Sequence, residues 1–334
     1  MSGWSERLDA LPRLSLLKEA TPLHRAAKLR AVFGGPDLWL KRDDLLPHGF
    51  GGNKMRALDL VAADALRHHA NVIITGAGVL SNHVRAVAAV AAMTGLRCEI
   101  VYWGAPPART DGNHLLTRML GANICFTGDP DRASVDAIIA ATLSMLRAAG
   151  ENPYGIPRGG ACALAALSHV LAVRETLSQL ARLDIRADVI FMAVGGGATL
   201  AGWLLGSALF GASWRIEAVT VSRPAGEAIA RAEDLAVEAA ALIDCTFAPG
   251  CVEVVMHDGF IGDGYGVPSK AGQEAIESTA RHEGVFLDPV YTGKAMACYR
   301  ALIEKGHFDG ANTALFLHTG GAPGLFTASV EGML

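Results

Sequence analysis

The sequence predicts an α/β fold in which helices cover parallel β-sheets. Short apolar or β-branched runs alternate with longer helical patterns along almost the whole chain. Several runs, such as residues 188–194 (DVIFMAV), are apolar without alternation, as expected for strands buried on both faces. The 334 residues are 51% hydrophobic and 19% charged, which excludes disorder and allows two domains, or one large α/β unit with an appendage.

Seven runs are predicted to be strands: 37–41, 71–75, 98–103, 123–127, 188–194, 216–221 and 313–318. Residues 53–69 carry one apolar helical stripe, and Asn53 stands where a helix cap is expected. Ser81 is predicted to cap an alanine-rich helix that ends near Thr94, before Gly95. The Pro- and Gly-rich stretch 151–160 predicts a crossing between domains, so that 53–160 form a smaller inserted domain and 1–52 with 161–334 a larger one.

The composition also indicates which classes of binding partner are not expected. Lys and Arg number 29 against 33 Asp and Glu, a net charge of −4, and no basic run follows the chain, so no nucleic acid is expected. The six cysteines form no C-x-x-C unit and have no metal-ligand spacing from histidine, so we predict reduced thiols and no metal site. The first 15 residues lack a secretory apolar run and no later apolar run reaches membrane length, so we expect a soluble, cytoplasmic protein with no membrane partner.

A glycine cluster predicts an anion site. Gly195, Gly196, Gly197, Ala198 and Thr199 follow the strand 188–194 and open a helix, so that backbone amides converge there and favour phosphate. A tight turn without a ligand is an equally simple interpretation of such a cluster. The order GGGATLAG is not G-x-G-x-x-G, and no acidic residue ends the following strand, so a single phosphate is favoured over a dinucleotide.

Two further loops place reactive groups at helix starts. In HGFGGNK, Lys54 follows flexible glycines and opens an apolar-striped helix. Most lysines are solvated, but apolar surroundings and a helix N-terminus favour the neutral amine that a Schiff base requires. In GVLSNH, Ser81, Asn82 and His83 bring a hydroxyl, an amide and an imidazole together; the alternative is a cap with two surface residues.

The ordered motifs LWLKRDDLLPHGFGGNKMR, GAGVLSNHVRAVAA, GNHLLTRMLGA, PYGIPRGGACALAAL, VGGGATLAG, DPVYTGKAM and LFLHTGG span the chain from about Leu14 to Gly321. This series resembles the pyridoxal-phosphate family that contains D-cysteine desulfhydrase, 1-aminocyclopropane-1-carboxylate deaminase and L-cysteate sulfo-lyase. The resemblance implies a tryptophan-synthase-β-like fold, with pyridoxal 5'-phosphate in the cleft between the larger, cofactor-binding domain and the inserted one. It also implies a small amino-acid substrate and a homodimer.

The same resemblance assigns roles to individual residues. Lys54 would carry the cofactor, Asn82 would contact its phenolic oxygen, the loop from Gly195 to Thr199 its phosphate, and Thr319 would lie near its ring nitrogen. Ser81, Asn82 and His83 would bind the substrate, Ser81 and His83 at its carboxylate, and Ser81 and Tyr265 would be catalytic together with Lys54 and Tyr291. Tyr265 and Tyr291 match the two active-site tyrosines of the family, and Thr292 would border the substrate.

The implied chemistry is α,β-elimination that converts D-cysteine to pyruvate, sulfide and ammonia, with Lys54 as base and Tyr291 either as acid or as a shield on the opposite face. Three residues depart from the family pattern: Leu80 and Ala86 replace frequent glutamines, and Thr292 replaces a glutamate of the cyclopropane deaminases. We therefore expect a more apolar pocket and elimination rather than ring opening. The alternatives are a cyclopropane deaminase, an L-cysteate sulfo-lyase, a β-replacement synthase, or a binding protein without turnover.

Overall fold

The computed structural model describes residues 3–327 and has the predicted α/β architecture with two mainly parallel sheets. The described strands are β1 (Leu23–Arg25), β2 (Asp37–Arg42), β3 (Val72–Ala77), β4 (Arg97–Tyr102), β5 (Asn123–Phe126), β6 (Pro153–Gly155), β7 (Val189–Val194), β8 (Arg215–Thr220), β9 (Val254–His257) and β10 (Thr313–His318). The described α-helices are α1 (Gly3–Asp9), α2 (Ala27–Phe33), α3 (Asn53–Arg67), α4 (Asn82–Thr94), α5 (Gly112–Met119), α6 (Ser134–Ala148), α7 (Ala163–Arg182), α8 (Ala198–Phe210), α9 (Ala225–Leu242), α10 (Lys270–Glu283) and α11 (Thr292–Glu304).

The strands form one larger and one smaller sheet. The six-stranded sheet has the order β1-β2-β10-β7-β8-β9, and β1 runs antiparallel to β2 while the other neighbours are parallel. The four-stranded sheet, β5-β4-β3-β6, is parallel throughout. The smaller sheet lies in sequence between β2 and β7, as an insertion would; the domain limits themselves stay a prediction.

All seven predicted strands are present, with ends shifted by at most two residues. The sequence analysis missed β1, β6 and β9, which have three, three and four residues and lie at sheet edges. Such short edge strands bury too few side chains to leave an apolar run in the sequence.

The start of α4 follows the prediction and the start of α3 does not. Ser81 caps α4, its hydroxyl accepting a hydrogen bond from the His83 N–H at 3.1 Å, and Gly95 ends the helix in the left-handed conformation. The predicted cap at Asn53 is wrong, because Asn53 is the first helical residue and Gly52 precedes it with φ 95°. Gly52 is required there, since a Cβ would lie 2.8 Å from the Thr319 carbonyl oxygen.

Helices α7 and α8 pack together in the core that joins the two sheets, and α3 packs on α7. Within the described residues, the stretch Arg158–Arg182 is long and apolar enough to cross a membrane by length and composition alone. Because 61% of its most apolar window is buried inside the protein, we interpret it as a core helix.

Candidate active site

A cavity of about 320 Å³ opens where the carboxyl ends of the strands of both sheets face each other. Helix starts and loops converge there, because in parallel sheets every strand delivers its following loop to the same edge. The cavity is lined by nearly all residues that the sequence singled out: Lys54, Ser81, Asn82, His83, Gly195, Gly196, Gly197, Ala198, Thr199, Tyr265, Tyr291 and Thr319.

Lys54 is the second residue of α3, and its amine faces this cavity. Its Nζ donates to the Gly159 carbonyl oxygen at 3.3 Å. Burial lowers the pKa of Lys54 from 10.5 to about 8, because desolvation disfavours the charged amine more than the nearby Cys162 favours it. Near neutral pH a much larger share of this amine is therefore unprotonated, and nucleophilic, than in an exposed lysine.

The loop after β7 and the first turn of α8, residues 195–199, form a site suited to an anion, which we call the cradle. Its carbonyls turn outward, and those of Gly195 and Gly196 accept hydrogen bonds from Arg223 Nη1 and Arg231 Nε, each at 3.0 Å. Within residues 3–327, no N–H from 195 to 199 donates to another backbone group. These free amides, the N-terminus of α8 and the two guanidinium groups favour a dianion at this place.

Thr199 is held by groups on two other helices. Its Oγ1 accepts from Asn53 Nδ2 at 2.8 Å and lies 3.2 Å from His169 Nε2. Burial lowers the pKa of His169 to about 3, so its imidazole is neutral. The start of α3, which carries Lys54, is thereby tied to the cradle at the start of α8.

Asn82 has a fixed amide orientation. Its Oδ1 accepts from Asn113 Nδ2 at 3.0 Å and from the buried Arg85 Nη2 at 3.5 Å. Because the carbonyl oxygen is used in this way, the amide NH₂ is the group left to face the cavity. Asn82 therefore offers a hydrogen-bond donor to a ligand.

His83 is buried beside it as a neutral imidazole. Its Nε2 lies 2.9 Å from the Thr75 hydroxyl oxygen. Burial, and then the charge of Lys54, lower the pKa of His83 to about 3. Gly160 lets the ring approach, because a Cβ there would lie 2.5 Å from the imidazole.

Tyr265 and Tyr291 form a pair on the opposite side. Their hydroxyl oxygens are 2.7 Å apart, and burial raises the pKa of both phenols, that of Tyr291 well above 10.0. Both hydroxyls therefore carry their proton near neutral pH, and the pair can donate one to a ligand. Arg132 lies over the Tyr265 ring, 5.5 Å from its centroid.

Thr292 does not join the other predicted residues. Its side chain is fully buried, donates to Asp288 Oδ1 and accepts from the Asp288 N–H, both at 2.7 Å. It is not among the described residues that line the cavity, and its expected contact with substrate stays a prediction. Leu80 and the fully buried Ala86 also lie outside that lining, which leaves the expected apolar change without a structural basis.

Sequence reasoning missed several side chains that shape the site: Asn113, His169, Arg223 and Arg231. Only Arg223 carried a usable signal, since it follows β8 and so belongs to the same sheet edge as the cradle. The cationic lining is opposed by one carboxylate among the described residues, Asp136, which pairs with Arg158 at 3.0 Å.

Comparison with known proteins agrees with this geometry. The profile of the family described as "Pyridoxal-phosphate dependent enzyme" matches residues 14–320. The chain is 36% identical to a D-cysteine desulfhydrase of Yersinia pestis (strain Pestoides F) and 37% identical to one of Salmonella choleraesuis (strain SC-B67), with 96% of this chain and 97% of each relative covered.

Among solved structures, an ACC deaminase homologue superposes with a TM-score of 0.89 at 31% identity, over 98% of this chain and 97% of that one. A T.th. threonine deaminase superposes with a TM-score of 0.67 at 17% identity, over 96% of this chain and 92% of that one, a likeness of fold alone. The fold is the tryptophan-synthase-β-like α/β fold.

Proposed function

The chain belongs to the pyridoxal-phosphate-dependent enzyme family, and from this premise we propose that it is a lyase for α,β-elimination from a small amino acid, with D-cysteine as the substrate. The products are pyruvate, sulfide and ammonia. The observation that carries the proposal is the buried Lys54 amine, with its pKa lowered to about 8, beside the cradle at the start of α8. D-Cysteine desulfhydrases at 36% and 37% identity over 96% of the chain support the choice of substrate.

The residues of the cavity fit the cofactor of this family. Lys54 would hold it covalently, and the free amides from Gly195 to Thr199, with Arg223 and Arg231 behind them, match a phosphate dianion. Asn82 would donate to the phenolic oxygen, and Thr319 would lie near the ring nitrogen. When bound, pyridoxal phosphate supplies a sink for the electrons released at the substrate Cα.

The start of α4 is proposed to bind the substrate carboxylate. Ser81, Asn82 and His83 combine a helix N-terminus with hydrogen-bonding side chains. Because the imidazole of His83 is neutral, attraction to the carboxylate comes from these dipoles and from the surrounding guanidinium groups. This placement holds the Cα proton toward Lys54 and the β-substituent toward the tyrosine pair.

Proton movement follows from the side chains. Lys54, once its amine is free of the cofactor, would take the Cα proton, and Tyr291, hydrogen-bonded to Tyr265, would donate a proton to the departing sulfur. The Cβ–S bond breaks as the Cα=Cβ bond forms. The 2-aminoacrylate released would react with water to give pyruvate and ammonia, and the proton gained by Lys54 would replace the one lost by Tyr291, so atoms and charge balance.

A second candidate is 1-aminocyclopropane-1-carboxylate deamination, favoured by the structural likeness to an ACC deaminase homologue. L-Cysteate sulfo-lyase and β-replacement activity use the same residues and are tested alongside. A substrate panel separates them: D- and L-cysteine, β-chloro-D-alanine, L-cysteate, serine and 1-aminocyclopropane-1-carboxylate, with keto acid, sulfide and sulfite measured. Equal pyruvate and sulfide from D-cysteine supports our proposal, whereas 2-oxobutyrate from the cyclopropane with no pyruvate from D-cysteine overturns it.

We also propose that the enzyme is a cytoplasmic homodimer. All six cysteines are free, which suits a reducing compartment.

The aromatic side chains of Phe286 and Phe326 are 60% and 72% exposed beside one apolar surface groove, and a second copy would cover them. Sedimentation analysis of the wild type and of Phe326→Glu tests the dimer.

A further inference from the structure

Outside the cavity, two histidines converge on one buried carboxylate. Glu217 lies in β8, His257 ends β9, and His307 lies in the connection between α11 and β10. His257 Nε2 is 2.6 Å from Glu217 Oε2, and His307 Nε2 is 2.8 Å from Glu217 Oε1. One ligand-type atom from each residue lies within 4.8 Å of the other two.

The cluster is held in shape by its surroundings. Glu217 is fully buried, and Arg215 Nε also donates to its Oε1 at 3.0 Å. The His257 ring stacks on Phe191 at 11° between planes, and the His307 ring meets the edge of Phe308 at 5.2 Å. The imidazoles are therefore oriented by packing as well as by the carboxylate.

The donor set is that of a divalent transition-metal site. Two imidazole nitrogens and one carboxylate are typical ligands of Zn²⁺, with water in the fourth position. The side chains of His257 and His307 are 17% and 35% exposed, so ion and water can enter from one side. Metal–ligand bonds of about 2.0–2.1 Å separate tetrahedral ligands by about 3.3 Å. The two nitrogen–oxygen pairs, now 2.6 and 2.8 Å apart, therefore need to widen by about 0.7 and about 0.5 Å.

We propose that Glu217, His257 and His307 bind one divalent transition-metal ion of the Zn²⁺ class. The ion ties β9, an edge strand, and the α11–β10 connection to β8. Arg215 stays on the carboxylate as a partner that orients it. This site is independent of the proposed lyase activity, because none of the three residues lines the cavity described above.

The test uses the full-length holoenzyme, treated with EDTA and dialysed. Zn²⁺ titration by calorimetry should show one saturable equivalent, and added Zn²⁺ should raise Tm. His257→Ala and His307→Ala should each weaken that equivalent on the order of 100-fold or more and remove the Tm shift. The exposed His68 and the exposed thiol Cys251 give matched controls, His68→Ala and Cys251→Ser, which should bind as the wild type does.

Co²⁺ gives a readout on unmutated protein, so the proposal stays testable if a variant folds poorly. Tetrahedral Co²⁺ bound by two imidazoles and a carboxylate should add absorption bands in the visible range. These bands should disappear when Zn²⁺ displaces the Co²⁺. No saturable equivalent in the wild type, or an unchanged equivalent in both histidine variants, would overturn the proposal and identify a hydrogen-bonded cluster without metal.

Discussion

The hydroxyl oxygens of Tyr265 and Tyr291 are 2.7 Å apart, although the two residues belong to different segments of the chain. Tyr265 belongs to the loop between β9 and α10, whereas Tyr291 immediately precedes α11. Because one phenol must donate to the other, the pair holds a single free hydroxyl proton that can face the cavity. Tyr291 also packs on the cradle, since a Cβ at Gly195 would lie 3.0 Å from its ring.

Tyr291→Phe should lower turnover by roughly 100-fold or more while the cofactor absorbance is retained, because only the proton donor is lost. Steady-state pyruvate release and the visible spectrum measure both effects. Tyr299→Phe is the matched control: its buried hydroxyl has no hydrogen-bond partner within the described residues and it lies outside the cavity. Normal turnover in Tyr291→Phe would remove its hydroxyl from the mechanism.

Lys54→Ala should abolish turnover yet retain weak cofactor binding through the cradle. Borohydride reduction of the wild type followed by peptide mass spectrometry should place the cofactor on Lys54. Lys294 is an internal control. It is also buried, and this burial is the main reason that its pKa is lowered. Its Nζ, however, donates to the carbonyls of Ile261 and Gly264, away from the cavity. Labelling of Lys294 instead would contradict the assignment.

The reactivity of Lys54 in the cofactor-free enzyme should rise with pH around a midpoint near 8. The sign follows from the lowered pKa: below about 8 the amine is a cation, and above it the neutral nucleophile dominates. Acylation by a limiting reagent, followed by mass spectrometry, gives this profile. N-acetyl-lysine amide in the same solution should need a pH about two and a half units higher, and identical profiles would contradict the effect of burial.

Thr199→Ala should weaken pyridoxal-phosphate binding by about 1–3 kcal/mol, the contribution of a hydrogen bond to a charged group. Gly197→Val should weaken it more, because Gly197 has φ 101° at the start of α8. Gly211→Val is the matched control: Gly211 ends the same helix with φ 65° and has open space around it. If Gly211→Val weakens cofactor binding as strongly, general destabilisation is the cause rather than the cradle.

The wild type should form little 2-oxobutyrate from 1-aminocyclopropane-1-carboxylate while it releases pyruvate from D-cysteine. The one carboxylate among the described cavity-lining residues, Asp136, pairs with Arg158, so none is available to keep a ring nitrogen protonated. Thr292→Glu should not rescue ring opening, since Thr292 is bonded to Asp288 away from the cavity. Efficient 2-oxobutyrate formation by the wild type would reverse our choice of activity.

Much of the fold was predictable because buried parallel strands leave long apolar runs, and Ser81 and Gly95 follow local capping rules. The positions of Lys54 and of the cradle at helix starts were also predictable, because in both cases the glycines directly precede the helix in the sequence. The contacts of Asn113 with Asn82 and of Arg231 with Gly196 were not, because they join residues 31 and 35 positions apart. The bond of the Thr292 hydroxyl to Asp288 was not predictable either, because a motif gives the position of a residue but not the direction of its side chain.

The position of β10 has a consequence for how the protein is made. This strand comes from the last fifth of the chain, yet it lies between β2 and β7 in the middle of the larger sheet. Thr319, directly after it, accepts the hydrogen bond from the Asn53 N–H that fixes the start of α3. The two parts of the sheet, β1 with β2 and β7 with β8 and β9, can therefore join only after residue 318 has been synthesised, and the start of α3 with Lys54 reaches its final position only then. A polypeptide interrupted before residue 313 should consequently be a target for chaperones and proteases rather than a partly active enzyme.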